Sequence, residues 1–245
     1  MTGIAFEVDL AGGGRGRAVR VLAEDDLDRA LAPLRIPPGP VVLLFGGAGK
    51  VAARHLAQIE RFFATSLIPA VAQIGGIVVD GGTDAGVMRM VGTARDDAAG
   101  RIRIVGVAPF GKVRVPGSTG STELAPGHTD LVLVPGDEWG AESAWFHPIA
   151  DRLSSGSTTT MLVNGGPIAL DEIEQSLARR GRVVVVEGTG RAADEVAAAI
   201  RRPDGATARV AAIAAAPSIV VVPVTIGPVD LVSELSRNAM GEHRR

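Results

Sequence analysis

Apolar runs that end at glycine-rich turns are the feature that most constrains the fold of this chain. Three are clear: 41–45 before Gly46-Gly47-Ala48-Gly49, 77–79 before Asp80-Gly81-Gly82, and 183–186 before Gly188-Thr189-Gly190. Apolar runs without apolar–polar alternation are typical of parallel strands that are buried on both faces. Because helical patterns follow these runs, the sequence predicts an α/β fold, with a mostly parallel sheet and helices on both faces.

The same turns indicate where a ligand binds. In a sheet of this kind ligands bind outside the carboxyl ends of the strands, and each turn follows a strand end. Glycine lets backbone N–H groups approach an anion closely, and the start of the next helix adds a favourable dipole. A fourth turn, Asn164-Gly165-Gly166, is predicted at the same edge of the sheet. Together the turns predict a crevice that binds a nucleotide or another phosphate compound.

The first turn does not match a standard phosphate-binding motif. Leu44 stands where a Walker A motif needs glycine, and Val51 follows Lys50 where that motif needs Ser or Thr. A dinucleotide-binding fingerprint is also incomplete, because Ala52 occupies its third glycine position. Two interpretations of this turn therefore remain open, phosphate binding and a purely structural connection.

The second and third turns carry side chains that suit a phosphate. In the second, Thr83 supplies a hydroxyl next to the Gly81-Gly82 pair. In the third, Arg191 begins a predicted helix and can pair bidentately with a phosphate or a carboxylate. The alternative for Arg191 is an ion pair with Asp194 or Glu195 on the same helix.

Polar residues after two other strands are candidates for contacts with a ribose or a base. His128 ends the segment 109–128, which is rich in Gly, Pro, Ser and Thr and is predicted to be a lid or disordered. This histidine can contact a ligand, or it can bond a neighbouring carbonyl and fix the loop. The run Asp137-Glu138-Trp139-Gly140-Ala141-Glu142 carries three carboxylates, which could bind a ribose hydroxyl, act as a general base or cap a helix.

Composition argues against several classes of function. The 245 residues include no Cys, so disulfides, thiolate metal sites and cysteine nucleophiles are excluded, and no His-Glu-x-x-His spacing predicts a metal site. A net charge of −2 and 3% aromatic residues argue against a nucleic-acid partner. The acidic N-terminus does not resemble a signal peptide, and no apolar stretch is long enough to span a membrane. We therefore expect a cytoplasmic protein without a membrane partner, a metal or a required cofactor.

The order of the motifs along the chain resembles the SLOG domain at the cytoplasmic N-terminus of TRP-melastatin channels. The chain is most similar to the free-standing prokaryotic group of that family, called LSDAT, over residues 40–200. The motifs that carry the resemblance are Gly46-Gly47-Ala48, Leu67-Ile68-Pro69-Ala70, Gly82-Thr83-Asp84-Ala85-Gly86-Val87-Met88, Pro126-Gly127-His128-Thr129-Asp130, Gly165-Gly166-Pro167 and Gly188-Thr189-Gly190-Arg191. The resemblance implies a Rossmann-like three-layer fold. We expect a single domain over 1–245, with extensions at 1–39 and 201–245.

The resemblance also implies a function, namely the binding or sensing of a nucleotide or nucleotide derivative such as ADP-ribose. We further expect a homo-oligomer, a dimer or larger. The backbone turns and nearby polar side chains would form the site. The candidate binding residues are Gly46, Gly47, Ala48, Gly49, Gly81, Gly82, Thr83, Gly86, Val87, His128, Glu138, Asn164, Gly165, Gly166, Gly188, Thr189, Gly190 and Arg191.

Two alternative functions stay open. The superfamily includes the "lonely guy" phosphoribohydrolases, whose Gly-Gly-x-x-x-Gly-x-Met turn is similar to Gly81–Met88. Their second motif ends in a catalytic Glu, and here Asp194 holds that position with a side chain one methylene shorter. An N-glycosidase acting on a nucleoside monophosphate would use Asp194, Glu195 or Glu138. The other alternative is a scaffold or oligomerisation module with a vestigial pocket.

Overall fold

A computed structural model describes residues 4–47, 49, 51–98 and 102–237. The strands in these residues are β1 (Phe6–Asp9), β2 (Arg15–Arg20), β3 (Gly39–Gly46), β4 (Ile77–Asp80), β5 (Arg103–Pro109), β6 (Asp130–Val134), β7 (Ser154–Val163), β8 (Arg182–Glu187) and β9 (Ile219–Pro223). They form one sheet in the order β1-β2-β6-β5-β4-β3-β7-β8-β9. β1 and β2 pair antiparallel, and all other neighbours pair parallel.

Helices cover both faces of this sheet, which confirms the predicted α/β fold. Shorter 3₁₀ segments at 11–13, 24–26, 32–34 and 143–145 and a π-helical segment at 63–67 complete the regular structure of the described residues. In that part of the chain no helix combines the length and the apolar character that a bilayer span requires. The α-helices are α1 (Leu27–Leu31), α2 (Ala53–Phe62), α3 (Ile68–Gln73), α4 (Gly86–Asp97), α5 (Phe146–Leu153), α6 (Pro167–Ala178), α7 (Arg191–Arg201), α8 (Ala208–Ala214) and α9 (Pro228–Ser236).

The chain reverses its direction across the sheet between β3 and β7. From β3 it proceeds outward through β4, β5 and β6, and then returns to place β7 on the other side of β3. Because parallel crossover connections are almost always right-handed, this reversal moves the helices from one face to the other. The connections that leave the neighbouring ends of β3 and β7 therefore diverge, and they leave a crevice at that edge.

Alternate residues of β3 show how the two helical layers are divided. Val42 and Leu44 pack into a buried cluster with side chains of α2, α3, α4 and α9. Val41, Leu43 and Phe45 pack into a second cluster with α1, α5, α6, α7 and α8. Both faces of β3 are thus apolar, which explains why the strand reads as an uninterrupted apolar run in the sequence.

The segment between β5 and β6 packs against the sheet, contrary to the expectation of a lid or a disordered loop. Val113, Val115 and Leu124 are buried in a third cluster with Leu131 and Leu133 of β6. Isolated bridges join Val113 to Thr122 and Thr83 to Leu124. The β5–β6 connection contains no helix, so its own apolar side chains cover this part of the sheet. The richness in Gly, Pro, Ser and Thr reflects tight turns between these buried side chains.

The end of that segment is packed directly against α4. A Cβ atom on Gly92 would lie 1.8 Å from the carbonyl oxygen of Pro126, so only glycine lets the two backbones approach this closely. Next along the chain, His128 is buried between two acceptors. Its Nε2 lies 2.8 Å from Asp80 Oδ1, and its Nδ1 lies 3.1 Å from the carbonyl oxygen of Pro126.

The His128–Asp80 pair joins the end of β4 to the start of β6. Asp80 Oδ1 also accepts a hydrogen bond of 2.8 Å from the backbone N–H of Gly82, which fixes the second glycine turn. Burial lowers the pKa of His128, but the attraction and hydrogen bond of Asp80 outweigh it, so the pKa is raised above 6.5. Both ring nitrogens face acceptors, and this arrangement satisfies a protonated imidazole.

We predict that Gly92→Ala destabilises the fold by about 3 kcal/mol, because the added methyl group forces α4 away from the 126–128 loop. The better helix propensity of alanine offsets only about 1 kcal/mol of this cost. Gly227→Ala is the matched control, since a Cβ there meets no atom within 4 Å. Urea denaturation measures both, and equal stabilities of the two variants would contradict the packing described for Gly92.

We predict that Asp80→Asn destabilises the protein most at low pH. The raised native pKa of His128 stabilises the fold fully below pH 6.5, and this contribution is lost as pH rises through the native pKa. Removing the buried carboxylate should cost about 3 kcal/mol at pH 6, and the difference from wild type should shrink by pH 9. Asp151→Asn, at an exposed ion pair with Arg179, is the control and should cost less than about 1 kcal/mol. A difference that does not change with pH would refute the role given to His128.

Candidate ligand-binding cleft

A cleft of about 590 Å³ lies at the switch point between β3 and β7. It is lined by residues of the first, second and fourth predicted turns and by the arginine of the third: Gly46, Gly47, Gly49, Gly81, Thr83, Gly166 and Arg191. A larger groove of about 890 Å³ lies between α2 and α4, but it is formed mostly by helix surfaces away from the strand ends. The switch-point cleft is therefore the better candidate for a functional site.

The first turn is fixed to the start of α4. The backbone N–H of Val87 donates a hydrogen bond of 3.2 Å to the carbonyl oxygen of Gly47. A Cβ on Gly46 would lie 2.4 Å from a methyl group of Val87, so the glycine permits this approach. Ala48, which was predicted as a binding residue, lies outside the described residues.

Asn164 connects the turns that follow β7 and β8. Its backbone N–H donates to Thr189 Oγ1 at 2.8 Å, and its Nδ2 donates to the carbonyl oxygen of Thr189 at 2.7 Å. Thr189 Oγ1 donates in turn to the carbonyl oxygen of Val186 at 2.7 Å. Asn164 is buried and left-handed, with φ of 60°. The two turns therefore form one rigid unit behind the cleft.

The Oδ1 atom of Asn164 is directed toward the first turn. A Cβ on Gly47 would lie 2.6 Å from this oxygen. The oxygen is buried and accepts no hydrogen bond within the part of the chain that the structure describes. Asn164 thus supports the first turn from behind rather than lining the cleft.

The guanidinium of Arg191 bridges the first and the fourth turns. Its Nη1 donates to the carbonyl oxygen of Gly49 at 3.3 Å, and a Cβ on Gly166 would lie 2.6 Å from its Nη2. Arg191 has φ of 52°, a left-handed conformation that turns the side chain back across the switch point. In the described ranges no carboxylate pairs with it, so the alternative ion pair with Asp194 or Glu195 is not formed.

The three carboxylates proposed for catalysis do not line the cleft. Asp194 Oδ1 accepts a hydrogen bond of 2.7 Å from the backbone N–H of Gly188, so it holds the third turn. Glu195 lies on a groove along the outer side of α7, next to Ala198 and Arg202. Glu138 is exposed in the connection after β6.

Several predicted binding residues support the cleft without lining it. His128 belongs to the buried pair with Asp80, and its Nδ1 faces the carbonyl oxygen of Pro126. This agrees with the second of the two predictions for His128, a bond to a neighbouring carbonyl that fixes the loop. Val87 is bonded to Gly47, as described above. The predicted residues in this group are Gly82, Gly86, Val87, His128, Asn164, Gly165, Gly188, Thr189 and Gly190.

The rest of the cleft lining forms a mostly apolar wall, which was largely missed from the sequence. Phe45, Met88, Phe146 and Ile168 contribute to it, and the half-exposed ring of Trp139 lies at its edge. Phe45 and Phe146 pack edge to face, with ring centroids 5.0 Å apart.

Two glutamates in this apolar wall have perturbed acidity. Glu172 is 7% exposed, and burial raises its pKa from 4.5 to about 8. Ser143 Oγ donates to Glu172 Oε1 at 3.2 Å. Burial also raises the pKa of Glu142, whose Oε2 accepts from the backbone N–H of Gly140 at 2.8 Å.

The sequence does contain a pattern that indicates the burial of Glu172. Ala169, Ile173 and Ser176 are buried on the same side of α6, so the helical spacing places a carboxylate on the buried face. A glutamate is rarely buried in a protein unless it is paired or belongs to a functional site.

Comparison with known proteins agrees with this architecture. A family model described as "SLOG in TRPM, prokaryote" matches residues 39–233. The curated transient receptor potential cation channel subfamily M member-like 2 of Nematostella vectensis is 25% identical over an alignment of 260 positions, gaps included, which covers 83% of this chain and 17% of that protein. The chain therefore spans a small part of this relative.

A solved structure shares the fold. The molybdenum cofactor binding protein from the phototrophic bacterium Rippkaea orientalis has a TM-score of 0.51 and 12% sequence identity, covering 80% of this chain and 94% of that chain. Since the family match extends over most of the chain, and the resemblance of its ordered motifs is confirmed, this protein belongs to the prokaryotic SLOG family related to TRPM channels.

Proposed function

We propose that this protein binds a nucleotide or a nucleotide derivative such as ADP-ribose in the switch-point cleft, with a phosphate group at Arg191. The observation that carries the proposal is the position of the Arg191 guanidinium. It bridges two glycine turns and has no carboxylate partner in the described residues. A planar guanidinium can make two parallel hydrogen bonds to a phosphate. The cleft volume of about 590 Å³ is typical of small-molecule sites.

The backbone around Arg191 adds to the favourable field for an anion. α4 begins at Gly86 and α6 begins at Pro167, and both helices start beside the glycine turns that line the cleft. The dipole of each helix places a partial positive charge at this end, which stabilises a nearby negative charge. The apolar wall formed by Phe45, Phe146 and Ile168 provides a surface for the uncharged part of the ligand.

The comparisons are consistent with a ligand-binding role. The solved neighbour is a molybdenum cofactor binding protein, so small-molecule binding has a precedent on this fold. The hydrolase alternative has less support here, because Asp194 is used to hold Gly188 and the other two proposed catalytic carboxylates lie away from the cleft.

We predict that Arg191→Ala weakens the binding of AMP and ADP-ribose by about 1.5–3 kcal/mol, because a charge-assisted hydrogen bond to phosphate is lost. Isothermal titration calorimetry measures this change. Arg201→Ala is the matched control, since Arg201 lies at the other end of α7 and pairs with Glu187 at the surface. Its affinity should equal that of the wild type.

Chromatography of the same samples tests the alternatives. Unchanged AMP and ADP-ribose after incubation are expected for a binding protein. Release of free base that Asp194→Asn abolishes would favour the hydrolase, and equal affinity of Arg191→Ala and wild type would contradict the site proposed here. Absence of binding by every nucleotide tested would favour the scaffold.

A further inference from the structure

Glu172 is a buried carboxyl group in the apolar wall of the cleft. It lies on α6, is 7% exposed, and lines the cleft together with Phe45, Phe146 and Ile168. Its one side-chain partner in the described residues is the hydroxyl of Ser143, at 3.2 Å. In the same part of the structure no Lys, Arg or His forms an ion pair with it. A buried carboxyl with this surrounding is stable when it is uncharged.

The charges that face Glu172 also disfavour its ionised form. Glu142, which precedes the 143–145 segment, and Asp171, on the same helix, both raise its pKa, while the Ser143 hydrogen bond lowers it. On the α5 side, the ring of His147 is hydrogen-bonded to Ser176, one turn further along α6, and burial, with a smaller effect of Arg179, lowers the pKa of His147. The cation that lines the same cleft is Arg191. Burial dominates these effects, and the pKa of Glu172 rises to about 8.

An uncharged carboxylic acid presents a donor and an acceptor side by side. Its O–H can donate to a ring nitrogen while its carbonyl oxygen accepts from an adjacent amine. Gly166, which is next to the Arg191 guanidinium, caps the start of α6, and Glu172 lies six positions further along the chain. Six positions correspond to a rise of about 9 Å along a helix axis. A rise of this size leaves room for a sugar between a phosphate at Arg191 and a base at Glu172.

We propose that Glu172 determines ligand specificity by hydrogen bonding, as an uncharged acid, the edge of a nucleobase that carries an exocyclic amine next to a ring nitrogen. This inference rests on the proposed nucleotide site and names the part of the ligand that the apolar wall recognises. Adenine has such an edge. The half-exposed Trp139, at the rim of the same cleft, offers a flat apolar surface for the ring.

The test compares three variants by calorimetric titration with AMP at pH 7, 8 and 9, where the phosphate is already doubly ionised. For wild type, the affinity should fall about tenfold by pH 9, in proportion to the uncharged fraction of Glu172. Glu172→Gln keeps a donor and an acceptor but cannot ionise, so its affinity should stay within about threefold of wild type at pH 7 and should not fall with pH. Glu172→Ala should bind at least tenfold more weakly at pH 7.

Glu174→Gln is the matched control. Glu174 lies on the same helix, and its carboxylate pairs with Arg209 at the surface. This variant should keep both the affinity and the pH dependence of wild type. Thermal denaturation of each variant verifies that it is folded.

Two further ligands separate this inference from the proposed function. Ribose 5-phosphate lacks the base, and its binding should depend on Arg191 but not on Glu172. Purine riboside 5′-monophosphate lacks the exocyclic amine but keeps the ring nitrogen, so it should bind wild type more weakly than AMP does. In one outcome, AMP and ribose 5-phosphate both bind, their affinities depend on Arg191, and every Glu172 variant binds AMP like wild type. That outcome refutes the role of Glu172 and leaves the proposed phosphate site in place. A Glu172→Gln affinity as low as that of Glu172→Ala would also refute it. If no ligand binds wild type, both proposals fail.

Discussion

The pairing of β3 with β7 is the constraint on which the cleft depends. The two strands are hydrogen-bonded in parallel up to Gly46 and Val163, although more than a hundred residues separate them in the chain. The connection after β3 leads to α2 and the one after β7 leads to α6, on opposite faces of the sheet. The cleft lies where these two connections diverge, and residues from the turns after β4 and β8 complete its lining. A change that loosened the β3–β7 pair would therefore alter the cleft before it altered the outer strands.

Charge is distributed unevenly along the cleft. At one end, the guanidinium of Arg191 lies over glycine turns whose backbone leaves space for an anion. In the apolar wall, Glu172 is held uncharged by burial, so it adds no negative charge that would repel a phosphate ligand. A cationic end and an uncharged hydrogen-bonding end follow from the same fold. The nucleotide that we propose as the ligand has two parts of these two kinds.

The sequence predicted the parallel sheet and the position of Arg191 at the start of a helix, because both depend on local patterns. Apolar runs identify buried strands, and a helical pattern after a glycine turn identifies the start of the next helix. The burial of Glu172 and the pairing of His128 with Asp80 could not be predicted in this way. The acidity of Glu172 depends on Ser143 and on aromatic side chains brought from other elements. His128 forms its pair with Asp80, 48 residues earlier, only when β4 and the β5–β6 connection have packed together.

Binding of a phosphate compound at the switch point is tested most directly by a nitrogen–proton correlation spectrum titrated with ADP-ribose. We expect the largest changes at the backbone amides of Gly47, Gly49 and Gly166 and at the side-chain Nε–H of Arg191. Changes centred on the groove between α2 and α4, near Arg61 and Thr93, would contradict it. So would a spectrum that ADP-ribose leaves unchanged.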